Sequence, residues 1–186
     1  MRNQLKLLPI AIITIGCGTC DPFPSWEETV PGLSYDSELN VFVNEFVADA
    51  ERHDNTIDLL NVRIIQYADI QAMAKEKNWT NVPGNTAGIC ATQITKLSMN
   101  AEIRQYIYRE IYLDNSMKEK PEAMKRIVMY HELGHCTLLI GDHTDHTIMS
   151  ASVIWPEKYD EKEEWDALVD ELFTDLSNVR PLDKVH

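Results

Sequence analysis

Between Pro121 and Ser150 the chain carries the pattern that most restricts its fold: His131-Glu132-Leu133-Gly134-His135, then Gly141-Asp142-His143 and Ile148-Met149-Ser150. Side chains four apart on an α-helix lie one turn apart on the same face, so His131 and His135 can aim two imidazoles at one point. Glu132 sits one residue further round, beside that point without being needed as a ligand. The H-E-x-x-H arrangement pairs a Zn²⁺ site with a glutamate general base, and the chemistry it implies is hydrolysis of an amide bond. It needs a helix, and the flanking residues favour one. Pro121 suits a first turn because its missing N–H would lack a partner there, and Glu119 and Glu122 suit the positive end of the dipole. Met124, Ile127, Val128, His131, His135, Leu138 and Leu139 follow steps of three and four. Met129, Leu133, Cys136 and Ile140 form a second stripe, which leaves a narrow polar side around Lys125, Arg126, Tyr130 and Thr137. The pattern predicts a largely buried helix over about residues 120 to 140, ended by Gly141 in a left-handed conformation.

A catalytic zinc ion takes three protein ligands and leaves a position for water, whereas a structural one is closed by four. The loop beyond Gly141 offers His143, His146, Asp142 and Asp145. Here the segment 131–150 resembles the metzincin clan of zinc endopeptidases, in which a third histidine follows the helix-ending glycine and a methionine turn lies beneath the metal. His131, Glu132 and His135 match that pattern residue for residue, and Met149 stands where the methionine turn is expected. The spacing departs from the clan: Gly141 comes six residues after His135 instead of three, and His143 two beyond it instead of three. His143 is the expected third ligand, His146 the alternative, with an aspartate behind both. The stretch is also similar to small bacterial peptidases, often secreted or lipid-anchored, that carry a His-Glu-Leu-Gly-His-Cys run. That likeness extends loosely over the last hundred or so residues, as far as Glu171-Leu172-Phe173. It implies an α+β, zincin- or metzincin-like fold, with a small twisted mixed sheet packed on an active-site helix and a C-terminal helix. It implies a zinc metalloendopeptidase holding one Zn²⁺ and acting, as a monomer, on a peptide or protein substrate.

The start of the chain reads differently. Arg2 and Lys6 precede the apolar run 7–16, small residues and Cys17 follow, and the whole is too short to span a membrane. Residues 1–16 are therefore expected to be a signal peptide and the protein to be exported. Gly16-Cys17 is similar to the end of a bacterial lipobox, with Thr14 where an aliphatic residue is usual, so Cys17 is a candidate for lipidation and membrane attachment. Removing residues 1–16 takes away two positive charges and no acids, moving the formal charge from −13 to −15. So acidic a chain, with no basic cluster, does not hold nucleic acid through phosphates. Export bears on the cysteines: in an oxidising compartment Cys90 and Cys136 can pair, and the other reading is two small buried thiols.

Residues 17–36, rich in proline and polar residues, read as a tether, and 37–186 as one domain long enough for a core. Ser37 is a candidate cap for an amphipathic helix to about Arg52. Val62 to Tyr67 reads as a strand, Ile70 to Lys77 as a short helix, Thr80 to Thr86 as a loop, and Gly88 to Ile94 and Tyr106 to Leu113 as two further strands. The first of these two is the candidate edge for an extended peptide. A last helix over about residues 159 to 176 buries Trp165, Leu168, Leu172 and Phe173. Three other functions compete with the metzincin-like one, the last of them an inhibitor or adaptor that holds no metal. A glutamate-ligand (gluzincin-type) peptidase would take its third ligand from Glu161, Glu163 or Glu164. An exported zinc-binding lipoprotein without catalysis would close its site with a fourth protein ligand such as His146.

Overall fold

A computed structural model describes residues 32–99, 102–141, 143, 147–151 and 162–174 of the 186. They form an α+β arrangement with a four-stranded mixed sheet. In chain order come β1 (Ser34–Tyr35), α1 (Asn40–Arg52), β2 (Val62–Ala68), α2 (Ile70–Glu76), β3 (Gly88–Met99) and β4 (Glu102–Asp114), then α3 (Glu122–Leu133) and α4 (Lys162–Thr174). The sheet order is β1-β2-β4-β3, with β1 and β2 parallel, β2 and β4 parallel, and β3 antiparallel to β4. No helix among the described residues is long and apolar enough to cross a membrane.

One row of paired residues crosses all four strands: Tyr35 opposite Ile65, Ile65 opposite Ile111, and Ile111 opposite Cys90. Side chains in register share a face. This one meets Phe42, Val43 and Phe46 of α1 and Val128, Met129 and Leu133 of α3 in a single core. The row ends on Cys90, which is disulfide-bonded to Cys136 just beyond α3, with Cα atoms 5.7 Å apart. Of the two readings of these cysteines, the paired one is observed. Closing a span of 46 residues contributes about 2–4 kcal/mol in the chain-entropy picture. The opposite face carries Glu110 and Tyr112, buried under the residues at the end of α2. Lys77 donates to Glu110 at 2.8 Å and lies over the rings of Trp79 and Tyr112. Asp69 caps α2 by accepting from the Ala72 N–H.

Several expectations are corrected. Ser34–Tyr35, placed in the tether, pairs with β2 and belongs to the sheet. Ser37 does not cap α1; the helix begins after Leu39 without a side-chain cap, and the turn before it is organised by Asp36, whose backbone and side-chain oxygens accept from the Asn40 and Glu38 N–H groups. The strands after Gly88 are much longer than the apolar stretches suggested. Their ladder runs on to Met99 opposite Glu102 as a two-stranded ribbon beyond the reach of β2, and there the paired Ile94 and Ile107 are exposed. The expected polar side of α3 is also buried in part. Lys125 pairs with Glu38, and Tyr130 is fully buried, edge-on to Phe46 and Trp165, with its hydroxyl donating to buried Asp49 at 2.7 Å. α4 delivers Trp165, Val169, Leu172 and Phe173 to the core with Leu168 half-buried, largely the face expected of it.

The Tyr130–Asp49 bond ties α3 to α1 in the interior. Tyr130→Phe leaves a buried carboxylate short of a donor and should cost about 1–3 kcal/mol, measured by denaturant unfolding, with little change in metal binding.

Candidate metal centre

α3 positions the histidines because it is packed round most of its circumference. Its last turn places His131 on the flank left partly open, and Glu132 on the flank turned toward β3. The helix does not run to residue 140 as expected. It changes at Gly134 into a π-helical turn, Gly134–Leu138, which ends at Leu139 in the left-handed conformation (φ 59°). No glycine has positive φ among the described residues, so Gly141 does not play the expected stop. The wide turn closes through Ile140, whose N–H donates to the Gly134 carbonyl at 3.3 Å. Gly134 also makes room below the turn. A Cβ there would stand 2.6 Å from the Met149 sulfur, so the glycine lets Met149 press directly beneath it. Met149 and Ile148 are both buried.

The turn brings His135 to His131 and then to His143. The Nε2 atoms of His131 and His135 are 2.9 Å apart, those of His135 and His143 3.2 Å, and ligand atoms of all three lie within 4.8 Å of one another. What these contacts are follows from the other ring nitrogens. Nδ1 of His131 faces the Ile148 carbonyl at 2.9 Å, and Nδ1 of His135 faces the Ile140 carbonyl. A carbonyl only accepts, so both Nδ1 atoms carry hydrogens, and in the neutral ring both Nε2 atoms are bare lone pairs. Two lone pairs facing each other at 2.9 Å repel unless a cation lies between them. A proton is disfavoured at neutral pH: burial pulls His131 down to about 4 and holds His135 below its ordinary value, with the neighbouring histidines adding to both. These two bare nitrogens, with the Nε2 of His143 beside them, could hold a divalent metal ion. Ligands about 2.1 Å from zinc in a tetrahedron stand about 3.4 Å apart. Backbone carbonyls orienting ligand imidazoles are the usual outer support of such a site.

The structure thus brings together His131, His135 and His143. Asp142, Asp145 and His146 lie outside the described residues, as do Glu161 and the segment with Cys17. Glu163 and Glu164 are exposed in the first turn of α4 and are not in the cluster. Glu132 is buried beside it. Burial pushes its carboxyl up to about 8, and the Cys90 backbone N–H, donating to it, offsets part of that rise. A Cβ on Gly88 would come within 2.7 Å of the Glu132 carboxylate and 2.7 Å of Val128, so glycine at the head of β3 is what lets this side chain lie against the strand. All four residues line a groove of about 1220 Å³, together with Gly88, Ile89 and Cys90 of β3, the loop 80–87, and Ile148 and Ser150. Sequence reasoning missed the orienting carbonyls, the Cys90 N–H and the role of Gly88. A glycine opening a strand that runs beside a motif glutamate was the one signal to be had.

Comparison with known protein families, with curated proteins and with solved structures finds no match for this chain.

The position of Glu132 has a pH signature in the metal-free protein. Unfolded, the carboxyl loses its proton near 4.5; folded, it keeps it up to about 8. The folded state therefore binds more protons across that window, and this contribution to stability is lost as pH rises through it. Glu132→Gln is neutral throughout. Its melting temperature in chelator should gain on that of the wild type from pH 4.5 to pH 8, read by thermal unfolding.

Proposed function

We propose that the protein is a zinc-dependent peptidase with a zincin-type, metzincin-like domain, exported from the cell that makes it. The observation that carries this reading is the convergence of two lone-pair Nε2 atoms and the Nε2 of His143 beside one buried carboxyl group in an open groove. His131, His135 and His143 hold the zinc ion. When bound, zinc lowers the pKa of water toward about 7 and polarises a carbonyl oxygen, so amide hydrolysis becomes feasible at neutral pH. The chain supplies the rest. Ile148 and Ile140, through their carbonyls, keep the two helix-borne imidazoles in the ligating tautomer. Glu132 accepts a proton from the attacking water and passes one to the departing amine. A group that must both take and give a proton near neutrality works best with a pKa close to it, and burial moves Glu132 in that direction. β3 stands at the end of the sheet with Gly88–Cys90 on the groove, so an extended peptide can be added as a further strand. The Cys90–Cys136 disulfide is in keeping with an oxidising compartment, and so with export directed by residues 1–16 and attachment through Cys17.

The test joins metal content to turnover. Wild type and Glu132→Ala should both bind about one zinc per chain, and the variant should lose about a hundredfold or more in cleavage of a peptide library. A protein without stoichiometric metal, or one that cleaves equally well after complete stripping, would overturn the proposal.

A further inference from the structure

Three contacts along β3 fall on the histidine helix and the turn that follows it. Val128 and Glu132 lie one α-helical turn apart, and Cys136 follows in the π-helical turn, held to β3 by its disulfide. Against them lie Gly88, where a Cβ would stand 2.7 Å from both the Glu132 carboxylate and Val128, and, two residues on, Cys90. The Cys90 sulfur is bonded to Cys136, beyond Glu132 in that turn. The stretch of strand that lies against the general base and the bond that ties the strand to the helix are therefore two residues apart. β3 is an edge strand, laddered among the described residues to β4 alone, so the sheet itself does not press its outer side toward Glu132.

We infer that the Cys90–Cys136 disulfide is a positioning element for Glu132: it keeps the Gly88–Cys90 end of β3 against the carboxylate, and without it the carboxylate is free to turn. The inference rests on the peptidase reading for its catalytic consequence. It separates Glu132 from the metal ligands, because the imidazoles of His131 and His135 are oriented by the carbonyls of Ile148 and Ile140 and not by β3. A bond that merely stabilised the fold would affect all of these groups alike, through unfolding.

The zinc-loaded full chain with Cys90→Ala and Cys136→Ala together is compared with the wild type in three measurements. Exchange of the residue 90 backbone amide should accelerate by about tenfold or more, while amides of β4 stay protected. Zinc affinity, read by competition with a chromogenic chelator, should fall by less than the roughly tenfold that disturbing a ligand's orienting partner produces. The kcat for peptide cleavage should drop by about tenfold to a hundredfold with KM nearly constant, as misplacement of a reacting group predicts. Unchanged exchange at residue 90, or an unchanged kcat alongside a lower melting temperature, overturns the inference. If the double variant does not fold, the wild type reduced by a phosphine in the presence of zinc replaces it, with the same expectations. If the wild type cleaves no peptide, the peptidase reading fails by itself. Amide exchange and zinc affinity, which need no substrate, then decide whether the bond holds Glu132.

Discussion

Two imidazoles whose ring hydrogens are committed to backbone carbonyls cannot rest with their bare nitrogens 2.9 Å apart unless positive charge lies between them. Much of the surrounding structure serves to hold that arrangement. Both carbonyls come from the stretch that follows the helix: Ile140 just past the π-helical turn, Ile148 just before Met149. The chain must therefore double back beneath its own helix before the rings are set. Gly134 permits the return, because any side chain there would collide with Met149. The core supplies the rigidity: Tyr130, Met129 and Leu133, interleaved with the motif residues, are fully buried. A site built on a helix packed round nearly all its circumference loses little further freedom when it takes up a ligand.

The carboxylate obeys a different constraint. Glu132 leaves solvent on the strand side of the helix, where burial raises its pKa and one backbone N–H from Cys90 partly compensates. The imidazole nitrogens and the Glu132 carboxyl are thus supported by separate parts of the chain, the loop below and the strand beside. The division follows from helical geometry: a residue one position from a ligand points about 100° away from it and needs its own neighbours. The acidity of the whole chain has no counterpart at this depth, where burial decides the charge state.

How much of this is readable from the residues depends on whether side-chain pattern or backbone geometry governs each part. His131, Glu132 and His135 are legible because four-residue spacing on an apolar helix carries a geometric meaning, and His143 because the loop after the helix offers few other donors. β2, α2 and α4 are legible for the same reason, since alternation or helical steps with recognisable ends are written in their residues. The π-helical turn is not. Its extra residue breaks the helical step just where Leu138 and Leu139 continue the apolar spacing, and the left-handed position falls on a leucine instead of the nearby Gly141. The far part of the β3–β4 ribbon falls outside the strands expected, although apolar and polar residues alternate from Leu97 to Arg104, because the sequence between Met99 and Glu102 carries no glycine or proline to mark a hairpin. Tyr130 reads as a surface residue because its partner, Asp49, lies 81 positions away in sequence.

The covalent tie from β3 to the end of the histidine helix also bears on the order in which the molecule is made. The β3–β4 hairpin joins near neighbours in sequence and can form early, whereas the parallel pairing of β2 with β4 and the docking of α3 bring distant segments together. Thiols at residues 90 and 136 meet only once that docking has happened, since their Cα atoms must approach to within bonding range. Oxidation thus records completed assembly: a chain that has sealed this bond has already laid Glu132 against its strand, and one that has not is still chemically distinguishable as immature.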